Sequence, residues 1–320
     1  MPFSQPSRSD VHIDGPLSSV SVAFIQSADA FVADRAFPRM AVSKQSDLFF
    51  TYDRSYFNRL EMKKRAPGAE SAGATYAIGQ DSYSADVWAL HRDVADQIRA
   101  NADSPLSLDR EATELLTLQG LLLKEKEWAS QYFVTGAWTN EDTPATLWDA
   151  ASSTPMEDVR LGIRTVHSTT GFRPNKMVVG RAVYDALLDH PDIVGRLDRG
   201  QTTGPAIVMR DALAALFELD EILVMDAIEN SAAEGDTASH GFIGGKHALL
   251  IYTPPSPGLM VPSAGYTFTW SGLLGGGALA TRISRMRMEH LKSDRLEIEM
   301  AFDQKQVSAD LGYMWLSAVS

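Results

Sequence analysis

Thr281-Arg-Ile-Ser-Arg-Met-Arg-Met-Glu-His-Leu291 is followed by Lys292-Ser-Asp294 and then by Arg295-Leu-Glu-Ile-Glu-Met-Ala-Phe-Asp303, and the reading of this stretch decides the fold class. In the first segment Ile283, Met286 and Met288 stand among Arg282, Arg285 and Arg287. In the last, Leu296, Ile298, Met300 and Phe302 alternate with Arg295, Glu297, Glu299 and Asp303. Period two over two runs with a short polar break predicts a half-buried antiparallel ribbon. One face is apolar and one charged, and neither carries a group poised for chemistry, so the ribbon is built to pack. The tail from Gln306 to Leu316 returns to apolar sequence and suits a strand or a buried terminus.

Working outward, the chain of 320 residues allows two domains or one elaborated domain. It is 44% hydrophobic and 22% charged, ordinary values for a folded protein. No run of 18 apolar residues is present, so no membrane partner is expected, and the first ten residues lack an apolar signal core. Cysteine is absent, which removes disulfides and thiolate metal sites and fits synthesis in a reducing cytoplasm. A net charge of −12 opposes sequence-specific reading of nucleic acid, because most of the surface repels phosphate.

Residues 1–48 are rich in Ser, Ala, Asp and Pro and read as an N-terminal arm that orders only against a partner. Residues 49–86 open with Phe49, Phe50, Tyr52, Tyr56 and Phe57, pass through the charged stretch Arg59–Arg65 and the Pro/Gly tip at 66–74, and resume a strand pattern at Tyr76. They are expected to form a long protruding hairpin whose charges are either solvated or in contact with a neighbouring subunit. A helix is predicted over 104–136, capped by Ser104, with Pro105 at its first position and Gly136 at its end. Leu108, Ala112, Leu115, Leu122, Ala129 and Phe133 are its expected buried stripe, and its length is about 45 Å at 1.5 Å per residue. Residues 155–270 alternate between the two patterns. Helices are predicted at Pro155–Thr169, at Ala182–Leu197 with a break near Pro191, and at Arg210–Phe217. Buried strands are predicted at Lys176–Val179, Glu221–Met225 and within Ala248–Tyr252, and Ser231–Ser239 reads as an acidic surface loop.

The search for catalytic and binding motifs is negative. Gly241-Phe-Ile-Gly-Gly-Lys-His247 lacks the spacing and the hydroxyl of a phosphate loop, and Gly275-Gly-Gly277 reads as a hinge. The seven histidines form no metal-ligand pattern, so no metal and no cofactor are expected. Glu297 and Glu299 share a strand face, and ion pairing with Arg285 and Arg287 across the ribbon, or a subunit contact, explains them better than paired acid–base chemistry.

The order of pieces, an arm, a long hairpin, a long helix, an α/β unit and a terminal ribbon, resembles the major capsid proteins of tailed phages with the Hong Kong 97 fold. The resemblance runs over about 48–320 and rests on several segments. Tyr83–Asp96 is similar to the passage from the extended loop toward the spine helix, and Thr170–Gly180 to the first axial strand. Leu187–Leu197 is similar to the helix that follows, Leu213–Val224 to the next helix-to-strand step, and Asp303–Tyr313 to the closing peripheral segment.

The resemblance implies an α+β fold divided into an N-terminal arm (1–48), an extended loop (49–86), a peripheral domain (87–150 with 270–320) and an axial domain (151–269). It implies a non-enzymatic shell protein that self-assembles, by head-to-tail contacts, into pentamers and hexamers of an icosahedral shell around phage double-stranded DNA. The DNA would be held by non-specific contact only. Arg59, Glu61, Lys63, Lys64, Arg65, Arg285, Arg287, Glu297 and Glu299 are the candidate inter-subunit contacts. The family's founding member cross-links a loop lysine to an asparagine. Lys63 and Lys64 lie in the loop here, but no acidic and asparagine partners match, so that chemistry is not carried over. The chain starts directly with the arm, without an acidic helical prefix, so a separate scaffolding protein is expected, with a portal and a decoration protein as further partners. Assembly would take place in the bacterial host cytoplasm, and the finished protein would reside in the virion. Two other readings stay open: an encapsulin-type bacterial nanocompartment holding cargo enzymes, and an unrelated soluble α/β enzyme.

Overall fold

The computed structural model describes residues 26–102, 107–197, 210–258, 261–274 and 281–320. Along the chain the strands are β1 (Arg39–Val42), β2 (Ser46–Tyr52), β3 (Ile78–Ser84), β4 (Asp86–Ala95), β5 (Asn140–Asp142), β6 (Lys176–Gly180) and β7 (Glu221–Met225). They continue as β8 (Ile228–Asn230), β9 (His240–Phe242), β10 (Ala248–Ile251), β11 (Gly265–Trp270), β12 (Thr281–Met288), β13 (Ser293–Gln306) and β14 (Gly312–Trp315).

The ribbon read from sequence is β12 and β13, antiparallel from Thr281 opposite Met300 to Met288 opposite Ser293. It is not two-stranded. β4 runs antiparallel along the other edge of β13, from Ser293 opposite Ala95 to Phe302 opposite Asp86. The far end of β13 then pairs with β11, and β1 lies parallel to β11, completing the first sheet. Leu296, Ile298, Met300 and Phe302 are buried as their alternation requires, against Val94 of β4 and Leu108, Ala112 and Leu116 of the long helix.

That helix spans Leu108–Tyr132, about 37 Å at 1.5 Å per residue, and is shorter than the sequence suggested. Ser104 and Pro105, the expected start, lie outside the described residues. Gly136 does not end the helix: Phe133 is the C-cap, and Gly136, at φ +85°, takes the left-handed conformation of the following turn. The buried stripe differs too. Leu108, Ala112, Leu116, Gly120, Lys124, Trp128 and Tyr132 recur every four residues, whereas Leu115 is 41% exposed and Leu122 only half-buried. A row at spacing four runs obliquely to the helix axis. Its N-terminal half therefore covers the first sheet, and its C-terminal half, with Trp128 and Tyr132, reaches a second sheet. At Gly120 the approach is close enough that a Cβ would stand 3.0 Å from the Met300 sulfur.

The second sheet has the order β5-β14-β10-β6-β7. Its central strands are continuous apolar runs because both faces are covered. Val178, Leu223, Leu249 and Met314 face the spine helix, while Val179, Val224, Leu250 and Trp315 face the helices Pro155–Thr170, Arg181–Asp189, Pro191–Leu197 and Arg210–Phe217. The expected boundaries at 151 and 269 do not coincide with this sheet. It takes β5 and β14 from segments assigned to the peripheral domain, and Trp148 from the same segments fills the core on its helical face. The tail is thus an inner strand, bonded to β10 on one side and to β5 on the other.

The arm also departs from expectation. Residues 1–25 lie outside the described residues, but from Phe31 onward the chain is packed on its own subunit. Phe37 sits among Trp128, Tyr132 and Trp138 with ring centroids 5.6, 4.9 and 6.5 Å away. A Cβ on Gly265 would meet the Phe37 ring at 2.4 Å, so glycine there makes room for the anchor. The aromatic cage offered by this chain, rather than a neighbour, orders this part of the arm.

Candidate assembly surfaces

The hairpin predicted over 49–86 is present. β2 and β3 pair from Ser46 opposite Ser84 to Tyr52 opposite Ile78, and a short helix (Arg54–Phe57) precedes the connecting segment. It is tied to the subunit near both ends of this strand pair. The Ser84 amide donates to Asp303 Oδ2 at 2.9 Å, Arg54 pairs with Asp310 at 2.8 Å, and Tyr83 stacks on Phe268 with centroids 4.6 Å apart. Farther out, Tyr52, Phe57 and Tyr76 cluster with centroids 5.7–6.2 Å apart. The tip is bare: Leu60 is 89% and Met62 90% exposed. Among the predicted contacts, Arg59 stands 3.8 Å from Glu61 and 5.9 Å from the Tyr56 ring, and the Arg65 side chain hydrogen-bonds the Ala69 carbonyl. Lys63 and Lys64 are exposed, with no ion pair among the described residues. Leu60 and Met62 were missed by the sequence reading; the signal was two large apolar residues inside a charged stretch that has no periodicity to bury them. Beside β2 lies a groove of about 770 Å³ lined by Phe49, Phe50, Tyr52, Phe57, Phe172 and Val261.

The second group of predicted contacts, on the ribbon, is satisfied differently from expectation. The register sets Arg285 opposite Leu296, Arg287 opposite Asp294, and Glu299 opposite Arg282, so Arg285 and Arg287 do not meet Glu297 and Glu299. Glu299 pairs with Arg282 at 2.7 Å, and Glu297 faces Ser284 across the ribbon. Arg285 pairs with Asp294 and lies 3.5 Å from Asp109, and Arg287 donates to Asp96 at 2.7 Å. Arg99 completes the network, 2.8 Å from Asp294 and 2.7 Å from Asp109. The hydrogen bond from Arg285, followed by those from Arg287 and Arg99, holds the Asp294 carboxyl well below the usual carboxylate range. The cluster fastens the ribbon turn to the first turn of the spine helix, and with the Arg282–Glu299 pair three of the four ribbon residues are ion-paired within the single subunit.

A third feature escaped the sequence reading. Glu125, buried in the spine helix, accepts hydrogen bonds through Oε2 from the Val32 and Ala33 amides at 2.9 and 2.8 Å. These amides open the short helix Ala33–Ala36, whose first N–H groups have no partner within the helix. Burial pushes the Glu125 carboxyl up to about 7, against the pull of the two amides. Beside it, Lys124 is buried, 3.3 Å from Asp34 and 5.4 Å from the Phe302 ring centre. Both residues occur in the charged run Lys124-Glu-Lys-Glu127, which carries no sequence signal of burial.

The arrangements closest to catalytic motifs are structural. A Cβ on Gly180 would stand 2.2 Å from the Gly245 carbonyl oxygen, so the glycine-rich 241–246 segment is a turn packed against the end of β6, not a phosphate cradle. Ser153 Oγ lies 2.9 Å from His190 Nε2, which resembles a nucleophile and its base. The His190 Nδ1, however, accepts from the Asp192 amide at 3.2 Å, which leaves the proton on Nε2. The ring then donates toward Ser153 and the Ala150 carbonyl and caps the helix Pro191–Leu197. Among the described residues no group of three or more His, Asp or Glu side chains could hold a metal ion, and no helix is long and apolar enough to cross a membrane.

A spine helix bridging two sheets, a tied-down arm and a projecting hairpin define a shell-forming architecture of the Hong Kong 97 type, and comparison with known proteins gives the same answer. A Bordetella bronchiseptica phage-related protein superposes with a TM-score of 0.68 at 20% identity over 92% of this chain and 94% of its own. The capsid of cyanophage P-SCSP1u superposes at 0.61 with 11% identity, over 99% and 100%. The major capsid protein of Burkholderia phage BcepMu is 25% identical over 313 residues, 94% of this chain and 95% of its own. The family model for phage major capsid protein E matches residues 94–259, and the chain belongs to that family. It is a structural protein of the phage head shell, and its assembly is with copies of itself.

Proposed function

We propose that this protein assembles into pentamers and hexamers of an icosahedral head enclosing double-stranded DNA, and that it has no enzymatic role. The observation that carries the proposal is the projecting hairpin: its tip holds Leu60 and Met62 almost entirely in water, with Lys63 and Lys64 beside them. Two large apolar side chains left in water on an extension favour a contact with another molecule. A neighbouring copy supplies the cover, and Arg59, Glu61, Lys63, Lys64 and Arg65 ring that contact. The first sheet with the spine helix acts as the peripheral unit and the second sheet with its helices as the axial unit. DNA is held without sequence preference, a reading supported by the net charge of −12, which opposes sequence-specific binding. A separate scaffolding protein, a portal and a decoration protein complete the head, and assembly proceeds in the cytoplasm of the bacterial host. A nanocompartment around cargo enzymes is disfavoured, because the matching family is that of phage capsid subunits.

The test is electron microscopy of the full chain expressed in bacteria, alone and with the neighbouring genes of its phage, combined with nuclease treatment of heads from the phage itself. Closed icosahedral particles and nuclease-resistant DNA are expected. A monomer under every condition, or heads carrying protein cargo in place of DNA, would overturn the reading.

A further inference from the structure

Among the described residues of this acidic protein lies a cleft of opposite sign. It measures about 410 Å³ and lies between the helix Pro155–Thr170 and the end of the helix Arg210–Phe217. Arg160, Arg164 and His167, at spacings of four and three, present one exposed helix face to it. Arg173 enters from the loop before β6 and ion-pairs with Glu218, the one carboxylate in the lining. Arg160 and Arg164 have no ion pair among the described residues. Glu218 is engaged by Arg173 and also feels Arg160, so three guanidinium groups share one carboxylate over a floor that includes Ile163 and Phe217.

The same subunit carries a complementary feature. The turn between β8 and β9 holds Glu234 and Asp236, both exposed and without an ion pair among the described residues. β6 and β7 are parallel and in register, Lys176 opposite Glu221 and Gly180 opposite Met225. Arg173 and Glu218 lie just before these strands begin, whereas the β8–β9 hairpin leaves just after β7 ends. The acidic turn and the basic cleft are thus attached at opposite ends of β6 and β7, strands about 17 Å long. Within one subunit no ion pair joins the two groups among the described residues. Successive copies set head to tail can join them, and contacts of that kind close into rings.

We propose that the acidic turn of one copy, through Glu234 and Asp236, seats in the Arg160–Arg164 cleft of the next copy and fixes the order of subunits around a ring. This rests on the shell reading above. Arginine is the suited cation, since its planar fork takes a carboxylate in bidentate fashion.

The test is a charge exchange in the full chain. Arg160→Glu with Arg164→Glu, and separately Glu234→Arg with Asp236→Arg, are expected to leave the subunit folded, because all four side chains are exposed, and to reduce particle yield at least tenfold. Circular dichroism and Tm confirm folding. The quadruple exchange is expected to recover particles. A second measurement exploits the absence of cysteine: Ser168→Cys with Ala233→Cys places thiols beside the cleft and on the turn without touching the charges. A short bis-maleimide is expected to link copies into ladders in wild-type-like particles.

Particles at normal yield from both reversed variants would overturn the proposal while the shell reading stood. So would no recovery in the exchange, or no ladder. Normal particles from Arg160→Glu with Arg164→Glu that lose packaged DNA would assign the cleft to nucleic-acid phosphate and equally overturn it. No particles from the unaltered chain under any condition would instead refute the shell reading.

Discussion

At the scale of single residues, Glu125 is the most informative side chain. A carboxylate out of water is costly unless it is bonded, and here two amides of the arm supply the bonds. Its Oε1 has no partner. Burial is the larger effect, so the folded-state value rises to about 7 from an ordinary 4.5. The folded state then binds the proton more tightly than the unfolded chain does. The stabilisation is fully present below about pH 4.5 and is lost as pH rises toward 7. Asp34, Lys124 and Arg39 are the other charges around this site, and Asp34 adds to the upward shift. Glu125→Gln keeps an acceptor for the two amides and removes the titration. Tm measured between pH 4.5 and 7 should therefore fall less steeply with pH in the variant than in the unaltered chain. Equal slopes would remove Glu125 from the account.

At the scale of elements, the spine helix shows how one amphipathic stripe serves two sheets. A heptad-like stripe would keep a single seam, whereas the observed spacing of four carries the buried row around the helix as it advances. Leu116 and Leu115 separate the two descriptions, since Leu116 is 1% exposed and Leu115 is 41% exposed. Leu116→Asp places a charge between the helix and the first sheet and should cost about 3 kcal/mol or more. Leu115→Asp should stay within about 1 kcal/mol, since it only adds charge to a wet face. Denaturant unfolding of both variants checks this, and comparable losses would mean the helix is rotated from the orientation described.

At the scale of the whole molecule, the subunit is well packed at its centre and unfinished at its edges. The two sheets share the spine helix, the arm is locked by Phe37 and Glu125, and the ribbon turn is fastened by the Arg99–Asp294 network. Past the Arg54–Asp310 pair the hairpin leaves Leu60 and Met62 almost fully exposed, and under the proposed assembly a neighbouring copy covers them. Deleting residues 66–74 should leave Tm within a few degrees of the original while lowering the resistance of assembled particles to heat and denaturant. A large fall in the Tm of the isolated subunit would show that the tip supports the fold itself.

Much of this was written locally in the chain. The buried strands β6, β7 and β10 and the helix Arg210–Phe217 follow from continuous apolar runs and a 3.6-residue period, which depend only on near neighbours. The ribbon and the hairpin were legible for the same reason. What the sequence could not settle by itself was which surface each element meets. Asp93 and Arg295 are bonded across 202 positions, and nothing near Asp93 announces that β4 closes the free edge of β13. β14 enters the second sheet from the far end of the chain, and Lys124 and Glu125 look solvated until the arm arrives over them. Periodicity decides which side chains leave water; only the tertiary structure decides what they leave it for, because that choice is made by shape and charge matching between segments hundreds of residues apart.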